Sequence, residues 1–437
     1  MANYLEVLVV EVWIWGDLVG ALARNPETGY YTFEYDPVWL RRNIELSPLH
    51  MANSTTPYSF LDLPIETFYK LPPALADCLP DSFGSALVTR RLVELGRPSS
   101  QITAIDRLAY TSDRAMGAMS FKPARGATNA DEYTPVQLAD LVSQARSMLK
   151  GDLLDENQVH ESLKALIQVG TSPGGARAKA VIAFNPKTGQ MRSGQREAPE
   201  GFEHWLIKLD GVPSGFDALT DEFEGSKDYG RIEYAYYLMA SAAEIEMSEC
   251  RLLPEGERSH FMTKRFDRGA SNERVHVQSL CAMASLDFRM SDTHSYAQYF
   301  QTIKELGLDR DVLAQAFRRM VFNVAALNRD DHTKNFAFLL PENGRWNITP
   351  AFDVTHSYRP SGGYTQRHQM AINSKFEGIT MDDLVAEAEK HFIPGYRKII
   401  EQVLAATERW SEFASISGVS AETTAKIAAE ITQFRPT

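Results

Sequence analysis

The pattern of apolar and polar residues divides the chain into a part rich in predicted strands and a later part that is mainly helical. The opening run YLEVLVVEVWIW (4–15) is rich in β-branched and aromatic residues, and the Gly-Asp pair after it is a turn signal. Aromatic alternation continues through residue 36 and predicts a β-meander. A helical pattern then begins within residues 72–95, and the segment RPSS (97–100) is expected to cap the next helix.

Later segments carry clear periodicity. The tract GFEHWLIKLD (201–210) alternates as a strand, with Lys208 on the face opposite Trp205 and Ile207. The run HFMTKRFDR (260–268) predicts a strand that leads into a connector. The helical period appears in residues 135–169, 231–247, 311–327 and 396–413, and the chain beyond the connector is expected to be almost wholly helical.

This order of elements predicts an α+β fold with two lobes and a cleft between them. We expect three parts: an amino-terminal subdomain (1–126), the remainder of the amino-terminal lobe with its Gly-rich turn (127–263), and a helical carboxy-terminal lobe (264–437). No internal repeat or low-complexity run is evident in the sequence.

Composition narrows the class of protein. The 437 residues carry a formal net charge of −12, which argues against broad nucleic-acid binding through the chain's own surface. Three widely spaced Cys indicate reduced core residues in a cytoplasmic protein rather than a disulfide framework or a zinc site. Acidic residues interrupt the apolar start of the chain, so neither a signal peptide nor a membrane span is expected.

One short segment concentrates polar groups between apolar runs, namely NRDDHTKNF (328–336). Such groups are costly to bury unless they are paired or used. The sequence after it predicts a strand, a turn at PENG (341–344) and a second strand. An antiparallel hairpin would bring Asp330, Asn335 and Asp353 within reach of one ligand, and a divalent cation with oxygen ligands suits them best.

Phosphoryl transfer needs this set of groups. One carboxylate accepts the proton of the attacking hydroxyl, and an amide oxygen with a second carboxylate holds Mg²⁺ on the β- and γ-phosphates. Asp330 precedes Asn335 by five positions, the spacing of base and metal ligand in protein kinases, and His332 stands where those kinases often carry a basic residue near the γ-phosphate. Two other interpretations remain open: Asp and Asn that only satisfy a turn, and a metallohydrolase that uses Asp331 and His332 as ligands.

A second candidate is the Gly-rich turn TSPGGARAK (171–179), which does not match the Walker A pattern. Its Gly174 and Gly175 would let the backbone approach an anionic group closely. Lys208 then follows on a strand, as expected for a ligand of the α- and β-phosphates. A purely structural turn and a solvated lysine on an edge strand are the alternatives.

Together these residues resemble one family, the HipA-type serine/threonine kinases of bacterial toxin–antitoxin systems. The segments that carry the resemblance are SPGGARAK, WLIKLD, KRFDR, DDHTKNF and PAFD, with support from LADCLPDSFGSALVTRRL and AMGAMSFKP. They occur in the family's order over nearly the whole chain. The resemblance implies a two-lobed protein-kinase-like fold, with an extra β-rich subdomain at the amino terminus of a mixed α/β lobe and a helical second lobe.

The resemblance also implies roles for individual residues. Asp330 becomes the catalytic base, assisted by His332, while Asn335 and Asp353 become ligands of both the metal and the nucleotide. The resemblance also implies that ATP is contacted by the Gly-rich loop, by the strand lysine Lys208 and by two hinge residues at adenine, Lys264 and Phe266. The loop residues are Ser172, Gly174, Gly175, Ala176 and Lys179. Ser172 falls where family members phosphorylate themselves. Asp331 stands where some relatives have Gly, and it is expected to influence Asp330 electrostatically.

Cofactors and partners follow from the same resemblance. It implies ATP and Mg²⁺, a protein substrate that is an aminoacyl-tRNA synthetase in the best-known case, and a small helix-turn-helix antitoxin of HipB type. DNA would be reached only through that antitoxin, and no membrane is involved. Two rival functions stay open: a catalytically silent corepressor that binds an antitoxin, and a small-molecule kinase with the same machinery.

Overall fold

The computed structural model describes residues 6–80, 82–125, 140, 142–143, 179–195, 197–211, 228–433 and 435–436. The chain forms two compact units. The first consists of Met1–Lys227, Glu255–Val277 and Pro341–Asn343, and the second of Asp228–Pro254, Gln278–Leu340 and Gly344–Thr437. The predicted division into 1–126, 127–263 and 264–437 stays a prediction.

The first unit opens with a four-stranded antiparallel sheet in the order β3-β2-β1-β4. Its strands are β1 (Val9–Ile14), β2 (Asp17–Arg24), β3 (Tyr31–Tyr35) and β4 (Met119–Lys122). The first three strands are the predicted meander, which is confirmed. Val10, Val12 and Ile14 lie on the buried face of β1, so this face forms the core of the amino-terminal subdomain.

Five helices of the first unit lie between β3 and β4: α1 (Pro37–Leu40), α2 (Ile65–Phe68), α3 (Pro73–Ala76), α4 (Ser82–Glu94) and α5 (Ala104–Thr111). The prediction that residues 97–100 cap α5 is wrong. Ser99–Gln101 forms a 3-10 turn, and Thr103 is the N-cap. The Thr103 hydroxyl accepts from the backbone N–H of Asp106 at 3.2 Å, and the Asp106 carboxylate accepts from the backbone N–H of Thr103 at 2.8 Å. This reciprocal capping box satisfies both groups, which explains the later start.

The first unit also contains a second sheet, with strands β5 (Lys179–Phe184), β6 (Met191–Ser193), β7 (Glu203–Lys208) and β9 (Arg258–Lys264). Strand β8 (Cys250–Glu255) comes just before β9 in the chain. Within the first unit, β5 pairs with β6 and β7, and β7 pairs with β9, all antiparallel. Strand β8 falls mostly in the second unit. The strands predicted at 201–210 and 260–268 are thereby confirmed. Trp205 and Ile207 are fully buried, whereas Lys208 lies on the other face opposite Phe261.

A buried carboxylate fixes the connector that leaves β9. Asp267 is completely inaccessible and accepts from Arg265 at 2.6 and 2.8 Å and from Arg268 at 2.8 Å. It also accepts from the backbone N–H of Gly117, just before β4, at 2.7 Å. Burial by itself would raise the pKa of Asp267, but the two guanidinium groups hold it well below its usual range. The side chain therefore joins the amino-terminal subdomain to the second sheet.

We expect Asp267→Asn to lower the free energy of unfolding by about 3 kcal/mol, because two buried guanidinium groups would lose their shared counterion. Since the folded pKa is depressed, the carboxylate contributes its stabilisation above about pH 4 and loses it as the pH falls further. Urea unfolding at pH 7 measures the loss. Asp292→Asn, in an exposed pair with Arg367, is the control and should change little. Equal effects in both variants would contradict the assignment.

The described part of the second unit is mainly helical. The helical patterns at 231–247 and 311–327 each correspond to one helix, whereas the pattern at 396–413 is divided between two helices. The helices are α6 (Tyr229–Ala242), α7 (Leu280–Met283), α8 (Tyr296–Glu305), α9 (Arg310–Ala325), α10 (Met381–His391), α11 (Tyr396–Glu408), α12 (Trp410–Ser417) and α13 (Ala421–Gln433). Tyr236, Phe317, Val321 and Trp410 are buried in its core.

The expectation of an almost wholly helical second part was incomplete. Short strands interrupt it: β10 (His276–Ser279), β11 (His294–Ser295), β12 (Ala337–Leu340), β13 (Asn347–Ile348) and β14 (Met370–Ala371). Strands of two to four residues are too short to display an alternating pattern. The hairpin of β12 and β13 is the predicted one, with Phe338 opposite Ile348.

Some predictions fall outside the described residues, namely most of the helical pattern at 135–169 and residues 171–178 of the Gly-rich turn. The three Cys are buried and free, as expected. Within the described ranges, no helix has the length and apolar character needed to cross a membrane.

Candidate functional site

The polar segment 328–336 begins directly after α9. Leu327 has a left-handed backbone with φ of 56°, which turns the chain out of the helix at a cost of about 1 kcal/mol. Two backbone hydrogen bonds then hold the segment: Arg329 N–H donates to the carbonyl of Ser357 at 3.2 Å, and Ser357 N–H donates to the carbonyl of Leu327 at 3.1 Å. The start of the segment is therefore anchored to the chain around residue 357.

The structure brings Asp330 and Asn335 together. The side-chain amide of Asn335 donates to the backbone carbonyl of Asp330 at 2.6 Å, closing the loop between them. This hydrogen bond uses the amide nitrogen, so the amide oxygen is the Asn335 atom that could bind a cation. The Asp330 side chain is 40% exposed, so its carboxylate is accessible to a substrate. The five-residue spacing predicted from the sequence thus corresponds to a real contact.

His332 orients the same loop. Its Nδ1 accepts from the backbone N–H of Lys334 at 3.2 Å, so the proton belongs on Nε2 when the ring is neutral. That Nε2 lies 3.6 Å from a carboxylate oxygen of Asp330, and the ring packs beside Phe288 with centroids 5.4 Å apart. His332 is therefore the immediate neighbour of the predicted base, while its role near a γ-phosphate stays a prediction.

The adjacent acid, Asp331, has a different environment. Its side chain is buried, and its carboxylate accepts from Tyr296 Oη at 2.8 Å, from His368 Nδ1 at 2.8 Å and from the backbone N–H of Gln369 at 2.7 Å. A carboxylate with three donors and no exposure is structural rather than a proton acceptor for substrate. The two neighbouring Asp residues therefore differ in environment, because one is exposed and the other is enclosed.

The sequence did not reveal the residues that hold Asp331. Tyr296 is fully buried; its hydroxyl donates to Asp331 and accepts from the Asn323 side chain at 2.9 Å. Asn323 in turn accepts from the Asn328 side chain at 2.9 Å, so the network returns to the start of the loop. Burial first, and the Asp331 charge second, raise the pKa of Tyr296, which keeps its proton available for donation. Only the 3.6-residue burial pattern of α8 and α9 hinted at these positions.

We expect Tyr296→Phe to lower the stability by about 1 to 3 kcal/mol, because Asp331 loses a donor and Asn323 an acceptor inside the protein. If the network positions Asp330, then kcat for phosphoryl transfer should fall while KM for ATP stays similar. Tyr299→Phe is the matched control, since Tyr299 is equally buried and its hydroxyl takes no part in the hydrogen bonds of Asp331, Tyr296, Asn323 and Asn328. A proportional loss of activity in both variants would show that packing alone matters.

The hairpin leads from Asn335 to Asp353. Strand β12 begins two residues after Asn335, and Thr349 N–H donates back to the carbonyl of Ala337 at 3.0 Å. Asp353 follows four residues later, with a left-handed φ of 52°, before the chain pairs with the polar segment at Ser357. Asp is one of the few non-Gly residues that adopt this conformation readily. The pairing therefore brings the chain near residue 357 back to the start of the polar segment. The approach of Asp353 to Asp330 and Asn335 stays a prediction.

The two predicted metal ligands, Asn335 and Asp353, are of a kind that suits Mg²⁺. Their donors are hard oxygens of one amide and one carboxylate, which leaves positions for phosphate oxygens and water. No cluster of three His, Cys, Asp or Glu that could hold a metal by itself occurs in the described ranges. The metallohydrolase interpretation therefore finds no support there, whereas a metal shared with nucleotide phosphates needs only the two predicted ligands.

The predicted nucleotide residues of the first unit lie on the second sheet. Lys179 is the first residue of β5, is buried, and pairs directly opposite Lys208 of β7. The Lys208 ammonium lies 5.6 Å from the centre of the Phe261 ring. Lys264 ends β9, and its ammonium contacts Glu203 at 2.6 Å, with Phe266 two residues further in the connector. Lys179 and Lys208 thus lie on the same face of the sheet. The remaining predicted residues, Ser172, Gly174, Gly175 and Ala176, lie outside the described residues.

Two family models match the chain. The model described as HipA-like C-terminal domain covers residues 171–411, more than half of the sequence, and the HipA N-terminal domain covers residues 10–122. A curated Haemophilus influenzae protein named "Putative kinase" is 29% identical over 110 residues. That match covers 22% of this chain and 32% of the relative, so the chain spans about a third of the relative's length.

Solved structures extend the comparison. The HipA structure from Shewanella oneidensis MR-1, determined with HipB and operator DNA of that toxin–antitoxin system, superimposes with a TM-score of 0.67 at 16% identity. The match covers 97% of this chain and 95% of that chain, which confirms a HipA-like kinase fold with a β-rich amino-terminal subdomain. The Helicobacter pylori proinflammatory kinase CtkA matches with a TM-score of 0.32, 12% identity, and coverage of 53% of this chain and 94% of that chain.

Proposed function

Because the chain belongs to the HipA family, we propose that it is a serine/threonine protein kinase and the toxin of a toxin–antitoxin pair. One observation supports this most directly. The Asn335 amide holds the Asp330 carbonyl at 2.6 Å, which keeps a half-exposed carboxylate next to an amide oxygen on one loop. Phosphoryl transfer needs a base and a metal ligand in this relation.

In the proposed reaction, Asp330 accepts the proton of the Ser or Thr hydroxyl as that oxygen attacks the γ-phosphorus of ATP. The bond from the γ-phosphorus to its bridging oxygen breaks, and ADP leaves with the electron pair. His332 Nε2 lies 3.6 Å from the Asp330 carboxylate, which is longer than a hydrogen bond but close enough for an electrostatic interaction when the ring is protonated. The buried Asp331 network holds the loop, so that the base keeps its position during proton transfer.

Asn335 and Asp353 would hold Mg²⁺ through their side-chain oxygens. When bound, the ion neutralises charge on the β- and γ-phosphates. We assign Lys208 to the α- and β-phosphates, with Lys179 opposite it on the neighbouring strand. Lys264 and Phe266 are assigned to adenine through their backbone groups, and the loop with Ser172, Gly174, Gly175 and Ala176 is assigned to the phosphates.

Partners follow from the relatives. The Shewanella oneidensis HipA was crystallised with HipB and operator DNA. We propose that this chain also binds a small helix-turn-helix antitoxin and that the antitoxin supplies most DNA contacts, which fits a net charge of −12. The proposed substrate is a Ser or Thr of a protein, and an aminoacyl-tRNA synthetase is the first one to test.

The decisive experiment is incubation of the purified chain with γ-labelled ATP and Mg²⁺, with and without a host lysate as a source of substrates. Label in protein that depends on the chain supports the proposal. Label found only in small metabolites would favour a small-molecule kinase instead. Absence of label from every fraction, with antitoxin binding retained, would favour a silent corepressor.

Autophosphorylation of Ser172 provides a further prediction. A phosphoserine adds about −1.5 to −2 charge to a loop that should hold ATP phosphates, so repulsion should stop activity. We expect the wild type to lose activity toward substrate during preincubation with ATP, while Ser172→Ala stays active. The measurement is the initial rate after timed preincubation, with Ser411→Ala, on the exposed face of α12, as the control. Equal inactivation of Ser172→Ala and wild type would refute the role of Ser172.

A further inference from the structure

A half-enclosed cavity of about 40 Å³ lies within the first unit. Its walls come from α4, α5, the edge formed by β5 and β6, and the connector after β9. The polar side chains that line it are Tyr110, Thr111, Arg114, Gln195, Arg265 and Arg268. None of the described residues assigned to ATP or Mg²⁺ lines it. The volume holds roughly three water molecules and is therefore close to the size of one phosphate or sulfate ion.

The charges around the cavity are unbalanced. Arg265 and Arg268 share the single carboxylate of Asp267, which is fully buried. Burial lowers the pKa of Arg268 to about 9, but the group remains charged at neutral pH. The other acid that acts on Arg268 is Asp113, which is exposed. Two guanidinium groups thus depend on one enclosed carboxylate, and a net positive charge remains at the wall.

Arg114 adds a further positive charge. Its Nε donates to the carbonyl of Thr111 at 3.2 Å, and its Nη2 donates to the carbonyl of Tyr110. Its Nη1 lies 3.4 Å from the side-chain oxygen of Gln195. No carboxylate in the described ranges forms an ion pair with it. A guanidinium has five N–H donors, so Arg114 is held in place at the cavity with donors to spare.

Two hydroxyl groups complete the lining. Thr111 is 7% exposed, and its hydroxyl has no hydrogen-bond partner among the described residues. Such an enclosed hydroxyl normally finds a partner, and each exception calls for an explanation. Tyr110 is 3% exposed, and burial raises the pKa of its hydroxyl, which therefore keeps its proton. Both side chains can donate to an acceptor in the cavity.

We propose that this cavity binds a tetrahedral oxyanion of phosphate size through Arg114, Arg265 and Thr111. An oxyanion supplies the negative charge that the wall lacks and an acceptor for the unpartnered hydroxyl. Arg265 lies between Lys264 and Phe266, so an occupied cavity would also restrain the segment assigned to adenine. That last consequence rests on the proposed function, whereas anion binding by itself does not.

The test is calorimetric titration of the full-length chain with inorganic phosphate, at constant ionic strength set with chloride and without nucleotide or Mg²⁺. We expect saturable binding to one site. Arg114→Gln should weaken it at least about ten-fold, because one charged donor group is lost. Thr111→Val keeps the shape of the side chain and should weaken binding by a smaller factor. Circular dichroism and thermal unfolding would establish that each variant is folded.

Two controls locate the site. Arg409→Gln removes an exposed arginine that pairs with Glu412, and it should leave phosphate affinity unchanged. Lys208→Met changes the residue assigned to ATP phosphates and should also leave it unchanged. Three results would each overturn the proposal. The first is that the wild type does not bind phosphate, and the second is that folded Arg114→Gln and Thr111→Val bind it as tightly as the wild type does. The third is that Lys208→Met loses phosphate binding. None of these outcomes depends on kinase activity.

A second titration with O-phosphoserine distinguishes the source of the anion. Binding of phosphate but not of the ester would assign the cavity to the free ion. Comparable affinities would assign it to a phosphorylated side chain or a phosphate monoester. Either result supports the proposal that the cavity binds a tetrahedral oxyanion.

Discussion

Asp330→Asn is expected to reduce phosphoryl transfer by about 10²- to 10⁴-fold, since a positioned general base contributes about that much to such reactions. The substitution keeps the shape of the side chain and removes the ability to accept a proton. Because the Asn335 amide bonds the backbone carbonyl of residue 330, the loop should keep its conformation. Nucleotide affinity should therefore change little.

The measurement is the single-turnover rate with labelled ATP, alongside the affinity for a non-hydrolysable ATP analogue. Asp331→Asn is the matched control, because it makes the same change one residue away, in a buried position. We expect Asp331→Asn to lower stability and to lower activity less than Asp330→Asn does. If Asp331→Asn abolished transfer while Asp330→Asn stayed active, the catalytic base would have to be reassigned.

The second large effect is expected for Asp353→Asn. Loss of a charged oxygen ligand should weaken Mg²⁺-dependent nucleotide binding by at least about 10- to 100-fold. Substitution of residues that only hydrogen-bond to metal ligands already lowers metal affinity by about this factor. Without Mg²⁺, the variant and the wild type should bind the nucleotide equally. The left-handed backbone of Asp353 tolerates Asn better than most residues, so folding should be preserved.

Titration of the ATP analogue at a series of Mg²⁺ concentrations measures this effect. Asp311→Asn, an exposed acid in the first turn of α9, controls for the general change of net charge. A normal Mg²⁺ dependence in Asp353→Asn would remove this residue from the metal site. Such a result would leave the role of Asp330 intact, because the two assays measure different steps.

Local sequence patterns were sufficient for most elements that surround the candidate site. The alternation in residues 201–210 and the helical period in residues 311–327 predicted a strand and a helix, and the structure agrees. The apolar residues repeat at the period of the element itself, so the type of element is readable from the local sequence. The burial is wider than one face, because residues 204–207 and 316–325 are all buried. The hairpin after the polar segment was predictable because its turn residues lie between two short apolar runs.

The N-cap of α5 shows where local patterns stopped being sufficient. The sequence analysis placed the cap within residues 97–100, because Ser is a common cap-forming residue. The structure instead uses Thr103. Asp106 decided the choice, because only Thr103 has an acid three residues later that bonds its backbone N–H. This pattern is visible in the sequence, but its importance emerges only when both hydrogen bonds are present.

The sequence by itself determined the family motifs, the strand and helix periods, and the spacing of Asp330 and Asn335, because each depends on residues close together in the chain. Only the tertiary structure decided that Asp331 is enclosed while Asp330 is exposed. The groups that enclose Asp331 lie 35 to 38 residues away along the chain. Desolvation and hydrogen bonding of a carboxylate depend on such distant neighbours, so two adjacent Asp residues acquire different chemistry that no local pattern encodes.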